Sequence, residues 1–120
     1  MLKNFPLLAL LLLAGCKKSD TTAPVITITS PDNNQVFAGG ETVMLKATIT
    51  DDQSIHMVHV TVLDNFTAGH VVHSEEHTDS KSYEVVESFL AIAGRSYTID
   101  VEATDHGDNI TTKQLTVSAH

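Results

Sequence analysis

Ala93-Gly94-Arg95-Ser96-Tyr97-Thr98-Ile99-Asp100-Val101-Glu102-Ala103-Thr104-Asp105 decides the fold. After the Ala-Gly turn signal, Tyr97, Ile99, Val101 and Ala103 alternate with polar residues, the period of a strand with one face in a core. The same alternation recurs outward along the chain. Val43, Leu45, Ala47 and Ile49 share a face, and so do Val58, Val60 and Val62. Ile26 and Ile28 alternate with threonines, and Leu115 and Val117 end the series. Turn-forming clusters separate these runs at Ser30-Pro31-Asp32-Asn33-Asn34, Gly39-Gly40, Asp51-Asp52, Asp64-Asn65 and Gly107-Asp108-Asn109. About seven short strands between residues 24 and 120 predict an all-β chain folded as a single β-sandwich. No internal repeat or second domain is visible.

Composition narrows the function classes. Of 120 residues, 42% are hydrophobic, which suits one globular domain. Seven Lys and Arg against fifteen Asp and Glu give a net charge of −8, which argues against a phosphate-tracking nucleic-acid binder. Charged residues make up only 18%, too few for a disordered acidic chain.

Two resemblances follow from particular residues. Pro24-Val25-Ile26-Thr27-Ile28-Thr29-Ser30-Pro31, with Phe37-Ala38-Gly39-Gly40-Glu41-Thr42-Val43-Met44-Leu45, resembles the opening of bacterial Ig-like domains. Residues 93–105 are similar to strand F of fibronectin type III and related Ig-like modules. The resemblance implies an Ig-like or fibronectin type III-like sandwich over residues 24–120, with Tyr97 as the structural tyrosine that bonds back to the backbone at the corner. It leaves function open, because such sandwiches host many unrelated activities.

The second resemblance lies at the start. Lys3, the apolar stretch Leu7 to Leu13 and then Ala14-Gly15-Cys16 form a segment too short to span a bilayer. Leu13-Ala14-Gly15-Cys16 resembles the lipobox of bacterial lipoproteins. That implies a signal peptide over residues 1–15, lipidation of Cys16 and a flexible tether over residues 16–23. Two or three acyl chains then anchor the protein to the membrane. Lys17, where Asp would imply inner-membrane retention, makes the outer membrane the expected envelope location. Lys17-Lys18-Ser19-Asp20 resembles in part the charged export signals of Bacteroidota surface lipoproteins, and the whole chain is similar to small Ig-like lipoproteins of that group.

Seven histidines, at 56, 59, 70, 73, 77, 106 and 120, all fall in the last 65 residues of the chain. Their spacing is no standard metal motif: residues three apart on a strand face opposite sides, and His73 and His77 are about 13 Å apart along one. Pairing across strands changes this. If residues 56–63 and 69–76 form a hairpin around Asp64 to Ala68, Val60 opposes Val72 and His59 opposes His73 on the outer face. Opposed Cβ atoms lie about 4.5–5.5 Å apart, close enough for two imidazoles to share an ion. Glu75 joins that face, and Asp100 and Glu102 fall nearby if strand 96–105 lies alongside. His59, His73, Glu75 and His77 are thus candidate ligands for Zn²⁺ or Cu²⁺. The competing reading is a solvated, acidic strand surface; were 70–77 helical, His70, His73 and His77 would line one side.

A second candidate set comprises Asp51, Asp52, Asp105 and Asp108, on two loops that an Ig-like fold places at one end. Clustered carboxylates suit Ca²⁺, although Asp and Asn are also what turns require. Catalysis finds no support. Cys16 is assigned to lipid, no G-x-S-x-G elbow or nucleotide loop is present, and Glu75-Glu76 point to opposite faces of a strand. The expectation is a non-catalytic binding or accessory module of the envelope, with no nucleic-acid partner. It binds Zn²⁺ or Cu²⁺, docks on another envelope protein, is stabilised by Ca²⁺, or presents a pH-responsive imidazole surface.

Overall fold

Each apolar alternation in the sequence becomes the inner face of a strand in the computed structural model, which describes residues 20–120. The expected signal peptide and Cys16 lie outside the described residues. Eight strands follow in order: β1 (Val25–Ser30), β2 (Val36–Phe37), β3 (Thr42–Thr50), β4 (Ile55–Asp64), β5 (Gly69–His77), β6 (Ser82–Leu90), β7 (Ser96–Asp105) and β8 (Ile110–Ala119). They form a three-stranded sheet, β1-β3-β6, and a five-stranded sheet, β2-β8-β7-β4-β5. No helix occurs among the described residues. The all-β, Ig-like sandwich expected from the sequence is therefore the observed fold. The strand beyond the expected seven is the two-residue β2, which pairs parallel with the end of β8.

The core is what the alternation selects. Val43, Leu45, Ala47 and Ile49 of β3 face Val58, Val60 and Val62 of β4 and Tyr97, Ile99, Val101 and Ala103 of β7, all buried. Burying such side chains stabilises the sandwich by about 1.5–3 kcal/mol each, offset largely by chain entropy. Gly39 shows how tightly the end of the sandwich closes. A Cβ at this position would sit 2.6 Å from the Ala93 Cβ and 3.0 Å from the Ala93 backbone. Gly39→Ala is expected to lower the unfolding free energy by about 1–3 kcal/mol through overpacking, read as a reduced urea midpoint at unchanged slope.

Register in the β4–β5 hairpin departs from expectation. His59 opposes Glu75, Thr61 opposes His73 and Val62 opposes Val72, a displacement of two residues from the predicted pairing. Two causes add. The turn holds Asn65 to Ala68 between the paired Asp64 and Gly69, with Ala68 in the left-handed region at φ 64°. Then Val71 is an extra residue between the pairs Leu63–His70 and Val62–Val72. Beyond the bulge the two-residue shift returns each side chain to its expected face, so His59 and His73 stay outward. Before it the shift is one residue, which brings His70, expected to point away from His73, onto the same side.

Candidate functional site

The outer face of the five-stranded sheet carries the histidines. Across β5, β4 and β7 its rows read His73–Thr61–Asp100 and Glu75–His59–Glu102. His59 and His73 are therefore diagonal neighbours, not opposed ones, yet their side chains meet: the two Nε2 atoms are 3.3 Å apart and the rings 5.2 Å between centroids. His59 is half-buried and His73 exposed, so the pair is open to solvent from the β5 edge. The His70 ring lies 5.9 Å from that of His73. Asp100 sits across Thr61 from His73, and its Oδ1 has no hydrogen-bond partner.

His77 belongs to a different group. Its ring meets His56 at 5.4 Å, and His56 in turn lies 4.6 Å from His106. His106 Nε2 is 2.7 Å from Asp79 Oδ1. His56 reaches this position because the β4–β7 ladder is irregular between Ile55 and Met57, a bulge that sequence reading did not anticipate. The structure thus brings His59 and His73 together, sets Glu75 beside His59 in the ladder, and takes His77 elsewhere. Among the described residues, the one group of three or more His, Cys, Asp or Glu side chains with ligand atoms mutually within 4.8 Å is Asp20, Asp51 and Asp52. Neither Glu75 nor His77 completes such a group with the imidazole pair.

The four loop carboxylates have distinct surroundings. Asp105 is fully buried and fastens the β7–β8 turn: its Oδ1 accepts from the Gly107 and Asn109 amides at 2.8 and 2.9 Å. Burial alone would raise its pKa, but the bonds from the Asn109 side chain and amide, together with those of Asp20 and Gly107, hold it below the usual carboxylate value. Asp108 takes a left-handed conformation in the same turn, at φ 65°. Asp51 is 8% exposed, and its Oδ2 accepts from the Gln53 and Ser54 amides at 3.0 Å. Burial first, and the Asp105 and Asp52 charges next, raise its pKa despite those amides. Asp52 is exposed beside it. The group around Asp51 and Asp52 is completed by Asp20, not by Asp105 or Asp108. Nothing in sequence spacing links a residue before β1 to the β3–β4 turn.

A cleft of about 360 Å³ opens between β1 and β8, lined by Ile26, Ile28, Leu115 and others, with Lys113 its one charged wall residue. It holds no pair of groups suited to proton transfer.

Known proteins add a family and a fold. A family model described as "Domain of unknown function (DUF4625)" matches residues 14–106. No curated protein sequence matches the chain. Among solved structures, the chain resembles the fibronectin(III)-like modules of CbhA from Clostridium thermocellum, at 24% identity and a TM-score of 0.52, over 81% of this chain and 46% of that one. It also resembles OgpA from Akkermansia muciniphila, at 13% identity and a TM-score of 0.50, over 83% of this chain and 30% of that one. The chain therefore spans less than half the length of either, and the likeness is one of fold.

Proposed function

Since the chain belongs to the DUF4625 family and carries a fibronectin type III-like sandwich, we propose that it is a non-catalytic, lipid-anchored envelope module whose histidine face takes up Zn²⁺ or Cu²⁺. The observation that carries this reading is the 3.3 Å separation of the His59 and His73 Nε2 atoms. Two nitrogens bound to one tetrahedral zinc at about 2.0–2.1 Å lie about 3.3–3.4 Å apart, so little movement is needed to seat an ion between them. A neutral imidazole is the borderline-soft donor that these metals favour. Glu75 and Glu102 flank His59 on either side and supply negative charge, and water fills the remaining positions.

The anchor rests on Ala14-Gly15-Cys16 and on the charged segment that follows. Lipid at Cys16 holds the module at the outer membrane of the bacterial envelope, as in the Bacteroidota lipoproteins it resembles. The residues 16–23 serve as tether and 24–120 as the sandwich.

Calorimetric titration of the full-length chain with ZnCl₂ tests the metal reading. The expected result is saturable uptake of one ion per chain, weakened at least about tenfold in His59→Ala and in His73→Ala. Equal affinity in the double variant would sink the reading. The module would then be one that docks on an envelope protein, for which the edge strands β5 and β6 offer unpaired backbone.

A further inference from the structure

The acidic end of the sandwich is unlike an ordinary surface cluster of carboxylates. Asp51 is more than nine-tenths buried, and while its Oδ2 takes two amides, its Oδ1 has no partner. The Oδ2 of Asp20 is likewise buried, with no N–H donor to it among the described residues, and the side-chain neighbour it shares a contact with is another carboxyl, Asp105. Leaving a buried carboxylate oxygen unpaired is costly, and leaving several together costs more, because like charges add to the desolvation. Among the described residues neither the Arg95–Asp64 ion pair nor the His106–Asp79 contact reaches this group.

Asp20 is held against the acidic turn by contacts other than its charge. Its carbonyl accepts from the Asn109 side chain at 2.9 Å. Gly107 permits the approach, since a Cβ there would meet the Asp20 Cβ at 2.8 Å and its carbonyl at 2.9 Å. The chain thus places a carboxylate beside two others, and beside the buried Asp105, and among the described residues no cationic side chain pairs with them. Burial raises the pKa of Asp20, as it does that of Asp51, which is how carboxylates respond when a counter-charge is missing.

We propose that Asp20, Asp51 and Asp52 form a binding site for a hard divalent cation, Ca²⁺ foremost, that clamps the segment before β1 onto the β3–β4 turn. The geometry fits: Ca²⁺ takes about six to eight oxygens at about 2.3–2.6 Å, so its ligand atoms lie within about 4.6–5.2 Å of each other. One oxygen from each of the three carboxylates lies within 4.8 Å of the others. With Asp51 Oδ2 and Asp20 Oδ1 already accepting amides, they offer Asp51 Oδ1, Asp20 Oδ2 and the Asp52 carboxylate, and water supplies the others. The unpartnered Asp51 Oδ1 and Asp20 Oδ2 acquire in the cation the partner that the protein itself does not provide. The all-oxygen donor set separates this site from the imidazole pair, which suits softer metals. Asp20 lies four residues beyond Cys16, so the cation would also fix how the sandwich leaves its anchor.

Thermal unfolding of the full-length chain in detergent, with EDTA or with about 10 mM CaCl₂, is the test. For an affinity of about 10⁻⁴–10⁻³ M, usual for extracellular modules, Ca²⁺ is expected to raise Tm by roughly 5–10 °C. Asp20→Asn and Asp52→Asn are each expected to remove most of that rise while leaving Tm in EDTA unchanged or higher, since carboxylate repulsion is relieved. Both side chains are more exposed than Asp51, so the folded sandwich does not depend on them. The His59→Ala/His73→Ala variant should keep the full rise. An unchanged Tm in wild type, or a rise that persists in Asp20→Asn/Asp52→Asn, would overturn the proposal.

Discussion

Tyr97→Ala is expected to cost about 3–5 kcal/mol, a large part of the total stability of a small sandwich. Tyr97 is fully buried at the start of β7. Its ring packs on Phe89 of β6 at 4.9 Å between centroids with planes inclined at 53°, within the separation at which aromatic pairs attract. Its hydroxyl accepts the Ile92 amide at 2.9 Å. One side chain therefore joins the two sheets and closes the β6–β7 connection, as the tyrosine corner of Ig-like folds does. Alanine removes the ring and the acceptor together. Phenylalanine keeps the ring and leaves the Ile92 amide unpaired, so Tyr97→Phe should cost only about 1–2 kcal/mol. Urea unfolding of the three proteins separates these contributions through their midpoints. If Phe proves as damaging as Ala, the corner bond and not the packing carries the stability.

The second large effect is acid sensitivity centred on Asp64, at the end of β4. This carboxylate is 2% exposed and receives Arg95 Nη1 at 2.7 Å and the Phe66 amide at 2.9 Å. Burial by itself would raise its pKa. The Arg95 hydrogen bond and charge, with the amides of Phe66 and Thr67, outweigh that and hold it below the ordinary value. A carboxyl whose pKa is lower folded than unfolded contributes stability that is fully present above the unfolded pKa and is lost as pH falls through the folded one. Asp64 should therefore stabilise the sandwich throughout neutral and mildly acidic solution, with the loss beginning below about pH 4. Asp64→Asn is expected to be less stable than wild type at pH 7 and to lose less on acidification. Arg95→Ala should move the loss to higher pH, because the buried carboxylate then lacks its cation. Tm measured from pH 7 down to about pH 2.5 gives both comparisons. Identical pH profiles for wild type and Asp64→Asn would contradict the assignment.

Much of the fold was legible because it depends on a local property. Whether Val58, Val60 and Val62 face inward is decided by their spacing alone, and the same holds for Val43 to Ile49 and Tyr97 to Ala103. Ala93-Gly94 marked a turn, and the resemblance of the strand after it to strand F of fibronectin type III modules implied that Tyr97 closes it. The histidine face was legible only in part. That His59 and His73 point outward follows from the valines between them, but which residue each meets depends on the four residues of the Asp64–Gly69 turn and on the bulge at Val71. The His56–His77–His106 group depends on a second bulge and on a loop from β7.

The sequence by itself determined which side chains enter the core and where the chain turns, because period-two alternation and turn chemistry act over a few residues; the corner role of Tyr97 came from its resemblance to strand F of fibronectin type III modules. Only the tertiary structure decided which polar groups meet. A bulge or one extra turn residue shifts a whole ladder without altering the local pattern that alternation reveals. Asp20 and Asp51 are thirty-one positions apart and become neighbours because β1 pairs with β3 and the segment before β1 packs beside Asn109. Contacts of that kind are settled by packing over the whole sandwich, and no stretch of neighbouring residues encodes them.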